Sequence, residues 1–338
     1  MQLTNTVLIL GARGRFGLTA ARAFAQAGWR VLGQARPGDD VPRDLPVQWL
    51  QLDLHDTQAL AQAARGAAVV VHALNPAYTN KAWQAQVLPM TDAAIALARA
   101  LDATLMMPGN IYNFGAAMPA LLREGTPQAA KTIKGQVLIA MEQRLQQSGV
   151  RSIVLRAGDF FGGGRGTWFD MAMVKDIQKG VFSYPGAKDV SGAWAYLPDL
   201  ARAFVAVAEK RASLPTFEVL HFAGHRMSGQ RWLDVLTPIA RAQGWIKTDA
   251  SLRFTSLPWP IIRLGALVLP TWAALLEMRY VWKVPHALVN DKLCALIGEE
   301  PHTGLAQAVQ LALADLGLLA PTPGLLAHGP VTPTVASQ

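Results

Sequence analysis

The strongest constraint on what this chain can fold into is a glycine spacing near its amino end. "VLILGARGRFG", residues 7–17, passes from four apolar residues into Gly11, Gly14 and Gly17, each three positions from the next. The run Val7-Leu8-Ile9-Leu10 is apolar throughout and partly β-branched, the pattern of a strand buried on both faces. The glycines fall where a tight turn enters a helix, expected from near Phe16 to about Ala27 with Gly28 as its stop. In such a turn one glycine allows the bend, one lets the backbone approach a pyrophosphate, and one lets the helix sit close on the strand. The helix N-terminus adds free N–H groups and a partial positive charge. Gly11, Ala12, Arg13, Gly14, Arg15, Phe16 and Gly17 are therefore the expected cradle of a dinucleotide.

Strand and helix patterns then alternate as βαβ units do. Strands are expected at 29–35, 47–54, 67–74, 104–112 and 151–164, with helices at 56–65, 91–102 and 132–149. From residue 160 the pattern turns irregular and rich in aromatics and glycines, as in loops around a pocket. A short strand and a helix capped near Asp199 follow over 194–210, then one more strand of the main sheet at 216–224. The expected fold is α/β, a Rossmann-type doubly wound parallel sheet with a smaller, mainly helical C-terminal substrate lobe. Residues 1–160 and 193–224 would form the NAD(P)-binding domain, 161–192 and 225–320 the lobe, and 321–338 a loosely held tail.

The 338 residues are 51% hydrophobic and 16% charged, which suits a largely buried globular protein. The net charge of +8 comes from scattered residues rather than a basic cluster, so nucleic acid is not an expected partner. The single cysteine, Cys294, excludes an internal disulfide framework, suits a reducing compartment, and lies in an apolar run that reads as core. The N-terminus enters a strand without a signal peptide, so a cytoplasmic location is expected. The most apolar stretch, residues 257–278, is broken by Pro258, Pro260, Arg263 and Pro270 and does not read as a membrane span. It reads as a pocket-forming or partner-facing helical segment, with association at a membrane surface left open. A homodimer is compatible with the residues but not specified by them.

Cofactor choice falls to the end of the second strand. An acid there would accept from a ribose hydroxyl; here the residues are Gln34-Ala35-Arg36. Arg36 offers a forked contact to a 2′-phosphate, with Arg13 assisting, so NADP(H) is favoured over NAD(H).

With these residues in view, the chain resembles the extended and atypical short-chain dehydrogenase/reductases, the branch of NAD-dependent epimerases and dehydratases. The resemblance covers most of the length and rests on GARGRFG, "QLDLHD", "VVVHALNP", "GNIYNFG", "LRAGDFFGGG" and "AYLPDLARA". It implies that Asp53 and Leu54 border the adenine and that Leu74 and Asn75 flank the nicotinamide half.

The departures from that family bear on the chemistry. Its usual serine would sit four residues before Tyr112, where this chain has Pro108. Residues 113–150 contain no tyrosine, so the Tyr-x-x-x-Lys motif is missing. Lys134 offers a substitute, eight residues before Glu142, a spacing similar to the isoflavone reductase-like members, where a lysine is the general acid/base. Alignment on Glu142 puts Lys134 at the tyrosine position and Leu138 at the lysine position; keeping Lys134 as the family lysine puts Ala130 at the tyrosine position. A free lysine titrates near about 10.4, too high for an efficient base at neutral pH, unless an apolar pocket lowers it. Tyr112 is the second candidate acid.

Other candidates are weaker. His221 and His225 follow a strand and are separated by Gly224, so they are expected to diverge, and no metal is expected. Gly162–Gly164 and Gly166 read as a pocket loop, and Trp168, Phe169, Trp259, Trp272 and Trp282 as pocket lining or lobe core. Three functions remain open: an oxidoreductase acting on a small apolar carbonyl or conjugated substrate, a nucleotide-sugar epimerase or dehydratase, and a non-catalytic NADP-sensing protein.

Overall fold

β1 (Thr6–Leu10) is buried along its whole length, as a mostly apolar strand inside a parallel sheet must be. The structure, a computed structural model, describes residues 5–319, so the expected tail over 321–338 lies outside the described residues. After β1 come α1 (Arg15–Gln26), β2 (Arg30–Ala35), β3 (Val47–Gln51), α2 (Thr57–Ala63), β4 (Val69–His72), α3 (Asn80–Leu101) and β5 (Thr104–Gly109). The chain continues through the short β6 (Leu121–Leu122), α4 (Ile133–Gln147), β7 (Ser152–Arg156), β8 (Asp159–Phe161), β9 (Val181–Tyr184) and β10 (Gly192–Tyr196). Then follow α5 (Leu197–Lys210), β11 (Phe217–His221), β12 (His225–Met227), α6 (Gly229–Ala242) and β13 (Arg253–Ser256). The last elements are α7 (Trp259–Gly265), α8 (Pro270–Glu277), β14 (Ala287–Leu288), α9 (Asp291–Ile297) and α10 (Leu305–Asp315).

Seven parallel strands form the main sheet in the order β11-β7-β5-β4-β1-β2-β3. Val7 stands between Val31 and Val69, so the strand order reverses at β1 and β4. In an open α/β sheet ligands bind at this reversal, beyond the carboxyl ends of the strands. One face packs Phe24 of α1, Phe204 of α5 and Leu293 of α9 into a single core; the other packs Leu60 of α2, Trp83 of α3 and Met141 of α4. The expected fold class is borne out.

Several local expectations are corrected. α3 starts at Asn80, not near residue 91, and carries Pro89 inside it. Thr79 caps it, with Oγ1 accepting from Ala82 N at 3.1 Å, and burial of Trp83 and Val87 offsets the bond the proline removes. The strand expected over 151–164 splits in two. β7 joins the main sheet, whereas β8 joins β10 and β12 in a second, three-stranded sheet. Gly158 permits this crossing, because a Cβ there would lie 1.9 Å from Ala193 O. Asp199 does not cap α5; its carboxylate accepts from Thr303 N at 2.6 Å and Thr303 Oγ1 at 2.7 Å, tying α5 to the chain before α10. Cys294 is half-buried on α9 rather than in the core.

The second sheet, α6, α10 and the β9–β13 pair share an aromatic core around Trp232, Phe161, Phe169 and Trp194. Beside it, α7 and α8 pack Trp259, Ile262, Leu275 and Met278 against Phe114 and Leu122. Among the described residues no helix is long and apolar enough to cross a membrane.

Candidate functional site

The glycine turn lies at the carboxyl end of β1. Gly11 adopts φ +71°, a left-handed conformation, and its N–H donates to Gln34 Oε1 at 3.1 Å. Gln34 is buried and also donates to Leu52 O at 2.9 Å, so it braces the turn from β2. At Gly17 a Cβ would stand 2.4 Å from Gly11 O and 2.8 Å from Ala12 Cα, so helix and strand approach too closely for any side chain. Gly14 is different: a Cβ there would meet only Gly11 O at 3.2 Å and Ala73 O at 3.9 Å. α1 begins with no capping side chain and no acid in its first turn, leaving its N–H groups and positive end for an anion. These features fit a diphosphate.

The flanking residues divide by environment. Ala12 is buried, and its N–H donates to Gln34 O at 3.2 Å. Arg15 Nη1 reaches Arg165 O at 3.1 Å, and Phe16 packs edge-on against Phe204 at 4.8 Å, so both tie α1 to its surroundings. Arg13 Nη1 pairs with Asp39 Oδ2 at 2.8 Å and Arg36 Nε approaches the same oxygen at 3.5 Å. The Asp39 carboxyl is held below its ordinary value, first by the hydrogen bond from Arg13. The Arg36 side chain is otherwise 82% exposed. Asp53 is exposed and accepts from His55 N at 2.7 Å, while Leu54 is half-buried against the core. Leu74 abuts the Gly11 turn, its N–H donating to His72 Nδ1 at 3.3 Å, and Asn75 is exposed. Burial pushes His72 down to about 4, so it is a neutral brace for this loop.

Lys134 stands in the first turn of α4 and is 0% exposed. Its Nζ donates to Asn80 Oδ1 at 2.6 Å and lies 4.5 Å from the Tyr78 ring centre and 5.4 Å from that of Trp83. Burial lowers it from 10.5 to about 8, against the opposing pull of Glu277. Glu277 closes α8 over this helix, its Oε1 accepting from Ile133 N at 2.6 Å. The Tyr112 phenol is raised well above its ordinary value by burial, and its carbonyl accepts from Tyr280 Oη at 3.1 Å. Tyr78 is raised too, by burial, and its buried hydroxyl faces that of Tyr112, which donates toward it. Tyr78 packs on Trp168 at 5.5 Å and Trp168 on Trp282 at 5.4 Å. Trp282 Nε1 donates to Asp159 Oδ2 at 2.7 Å, and burial pushes that carboxyl up to about 6. Lys134 at the start of α4, Tyr78 on the loop after β4 and Tyr112 in the turn after β5 are thus linked through Tyr78, which meets both, at the same carboxyl edge of the sheet as the glycine loop after β1. Leu138 instead faces the apolar core, and Pro108 leaves no hydroxyl near the carboxyl end of β5.

Glu142 and Arg156 hold this helix to the sheet. Glu142 Oε1 accepts from Arg156 Nε and from Asn113 Nδ2, both at 3.0 Å, and Oε2 accepts from Gln128 Nε2 at 2.7 Å and from Arg156 Nη2. Arg156 Nη1 also meets His221 Nε2 at 3.4 Å, and His221 Nδ1 faces Leu122 O at 3.2 Å. His225 instead lies against His302, 4.4 Å between rings. The two histidines do diverge, and among the described residues no group of three or more His, Cys, Asp or Glu could hold a metal ion. In the 162–166 loop, Gly163 N and Gly166 N already donate to Asp315 and Asp170. Of the aromatics singled out in the sequence, Phe169 and Trp259 are core, Trp272 packs over Gly265, and Trp168 and Trp282 face Tyr78 and Asp159.

Sequence reasoning missed Tyr78, Asn80, Trp83, Asp39, Asp159 and Glu277. The first three lie in "NPAYTNKAW", immediately beyond a recognised strand end, and that position was a usable signal. Asp39 sits three residues after Arg36, equally visible. Asp159 and Glu277 reach the site only through long crossings of the chain.

A family model described as the RmlD substrate binding domain matches residues 5–248. No curated protein matches. Solved structures with a similar fold include a putative epimerase from Burkholderia cenocepacia, with TM-score 0.71 and 19% identity over 93% of this chain and 98% of that one. UDP-glucose 4-epimerase from Brucella ovis in complex with NAD gives TM-score 0.70 and 14% identity over 93% and 99%. UDP-glucose 4-epimerase with UDP-glucose from Thermotoga maritima gives TM-score 0.66 and 14% identity over 92% and 98%.

Proposed function

Because the chain belongs to the family of the RmlD substrate binding domain, within the extended short-chain dehydrogenase/reductases, we propose that it is an enzyme of hydride transfer. It would use a nicotinamide dinucleotide and a small apolar carbonyl or conjugated substrate, with Lys134 as acid/base. The observation that carries this reading is the buried Lys134 ammonium, lowered to about 8, at the same carboxyl edge of the sheet as an uncapped glycine turn.

Gly11, Gly14 and Gly17 would hold the diphosphate, with Ala12, Arg15 and Phe16 shaping the turn. Asp53 and Leu54 would border the adenine, and Leu74 and Asn75 the nicotinamide half. When bound, the cofactor supplies or accepts the hydride. Lys134 donates a proton to a carbonyl oxygen as hydride arrives, or removes one as hydride leaves. Asn80 orients Nζ through the 2.6 Å bond, and the Tyr78 hydroxyl, accepting from Tyr112, keeps its own proton to donate to the same substrate oxygen. Tyr112 packs beside them as a second hydroxyl. The rings of Tyr78, Trp83 and Trp168 favour an apolar substrate and exclude water, which keeps the lysine's proton affinity low.

NADP(H) is the proposed form. A 2′-phosphate would take Arg13 and Arg36 from Asp39, exchanging one singly charged carboxylate for a more highly charged anion. Arg36→Ala should then weaken NADPH binding while leaving NADH binding within about twofold, by calorimetry. Equal losses for both would remove the preference.

The experiment for the reaction itself is stereospecific exchange of labelled hydride from NADPH with carbonyl substrates. Transfer that disappears in Lys134→Ala supports the reading; a bound but never exchanged coenzyme would mean a sensor instead. A second reading, nucleotide-sugar epimerisation, draws on the Thermotoga maritima enzyme that holds UDP-glucose. Thermal shifts with nucleotide sugars, and none with apolar carbonyls, would favour it.

A further inference from the structure

Of the large apolar side chains exposed on the described residues, five fall within nine positions: Ile261, Leu264, Leu267, Val268 and Leu269, between 43% and 81% exposed. They occupy the outer side of α7 and the turn into α8, while the inner side of the same hairpin is anchored in the core through Trp259, Ile262 and Leu275. Scattered exposed apolar residues need no explanation, but a contiguous patch at a projecting turn does.

We propose that the α7–α8 hairpin is an interfacial anchor that seats the protein on an anionic lipid bilayer. Two observations select lipid over a protein partner. The first is the backbone. N–H groups at Ala266, Leu267, Val268, Leu269, Trp272 and Ala273 donate within the hairpin, and Pro270 has none. A tip with nearly all its amides satisfied internally can settle at the boundary between headgroups and acyl chains with few donors unpaired. The second is charge. Residues 257–276 contain no Asp or Glu, Arg263 is exposed on α7, Lys283 is exposed just beyond α8, and the chain carries +8 overall. An apolar tip with basic flanks suits anionic headgroups. Neither helix spans a bilayer, at seven and eight residues, so the hairpin lies in the headgroup region.

The test is flotation of the full chain with phosphatidylcholine vesicles and with vesicles enriched in phosphatidylglycerol. The protein should float with the anionic vesicles and not with the neutral ones. Leu267→Glu with Val268→Glu should weaken that binding by more than about tenfold, and Arg263→Gln by roughly fivefold. Coenzyme affinity should be unchanged in both variants, which shows that they fold. No flotation, equal flotation with neutral vesicles, or a Leu267→Glu/Val268→Glu variant that floats like wild type would overturn the proposal. A wild-type dimer in sedimentation that this variant splits into monomers would also overturn it, by assigning the tip to a second copy.

Discussion

Replacing Lys134 by methionine is expected to stabilise the protein and abolish its turnover at once. Holding this lysine charged where its affinity for the proton has fallen from 10.5 to about 8 costs the folded state about 3 kcal/mol at neutral pH. Methionine keeps the length and apolar packing but loses the bond to Asn80 and the contacts with Tyr78 and Trp83, worth roughly 1–2 kcal/mol together. A net gain on the order of 1 kcal/mol remains, a rise of a few degrees in Tm. The pH dependence isolates the cause. The unfolded lysine holds its proton up to 10.5 and the folded one only to about 8. Between those values the unfolded chain binds more protons, so wild-type stability rises with pH, and below 8 the full penalty stands. Tyr78 and Tyr112, raised by burial, act in the opposite sense once unfolded phenols ionise near about 10. The informative quantity is therefore wild type minus Lys134→Met in urea unfolding, from about pH 7 to about 9.5. A difference that stays flat across that range, or a variant that melts lower and still turns over, refutes the assignment of a buried, proton-transferring ammonium.

Gly17→Ala would drive a Cβ to 2.4 Å from Gly11 O, a backbone atom that cannot swing away; a loss of about 2–3 kcal/mol and of coenzyme binding is expected in melts and calorimetry. Glu142→Leu leaves the buried Arg156 unpaired and should cost about 3–5 kcal/mol in urea unfolding, most of it recovered in Glu142→Leu/Arg156→Met. Tyr78→Phe removes the acceptor that faces the buried Tyr112 hydroxyl, so stability should fall by about 1 kcal/mol in urea unfolding, while kcat falls about tenfold or more under steady-state assay.

Much of the sheet could be read from residues because its signals are local. Val7–Leu10, the glycine spacing and Gly28 mark β1, the turn and α1 within a few positions, and Thr132 and Gly149 bracket α4 in the same way. Where long-range packing overrides a local signal, the reading fails. Pro89 looks like a helix stop, yet Trp83 and Val87 bury the turns before it and carry α3 through. Asp199 looks like a cap, yet Thr303, more than a hundred residues away, takes its carboxylate. Lys134 was visible as a helix-start lysine, but its burial was not, because the roof over it comes from Tyr78 on another loop and Glu277 on another helix. Arg36 was equally visible, and so was Asp39 three residues on, but that Arg13 joins them on the same carboxylate depends on how the loop after β2 folds back.

The choice of Lys134 over the nearby phenols follows from how much of each group is in the reactive form. With a proton affinity of about 8, roughly a quarter of the lysine is neutral at pH 7.5. Tyr112 and Tyr78 lie above 10, so less than about one in several hundred of either is ionised there. As bases they lose to the amine by about a hundredfold or more in population, and in the proposed reaction their contribution would be to donate hydrogen bonds. The same arithmetic sets a direction. In the proposed reaction Lys134, mostly an ammonium below pH 8, would protonate a carbonyl oxygen there, and above it the free amine would favour alcohol oxidation. Reductive and oxidative kcat/KM measured on one substrate pair should therefore have opposite pH slopes that turn near the same value, and slopes of the same sign would take the proton transfer away from this residue.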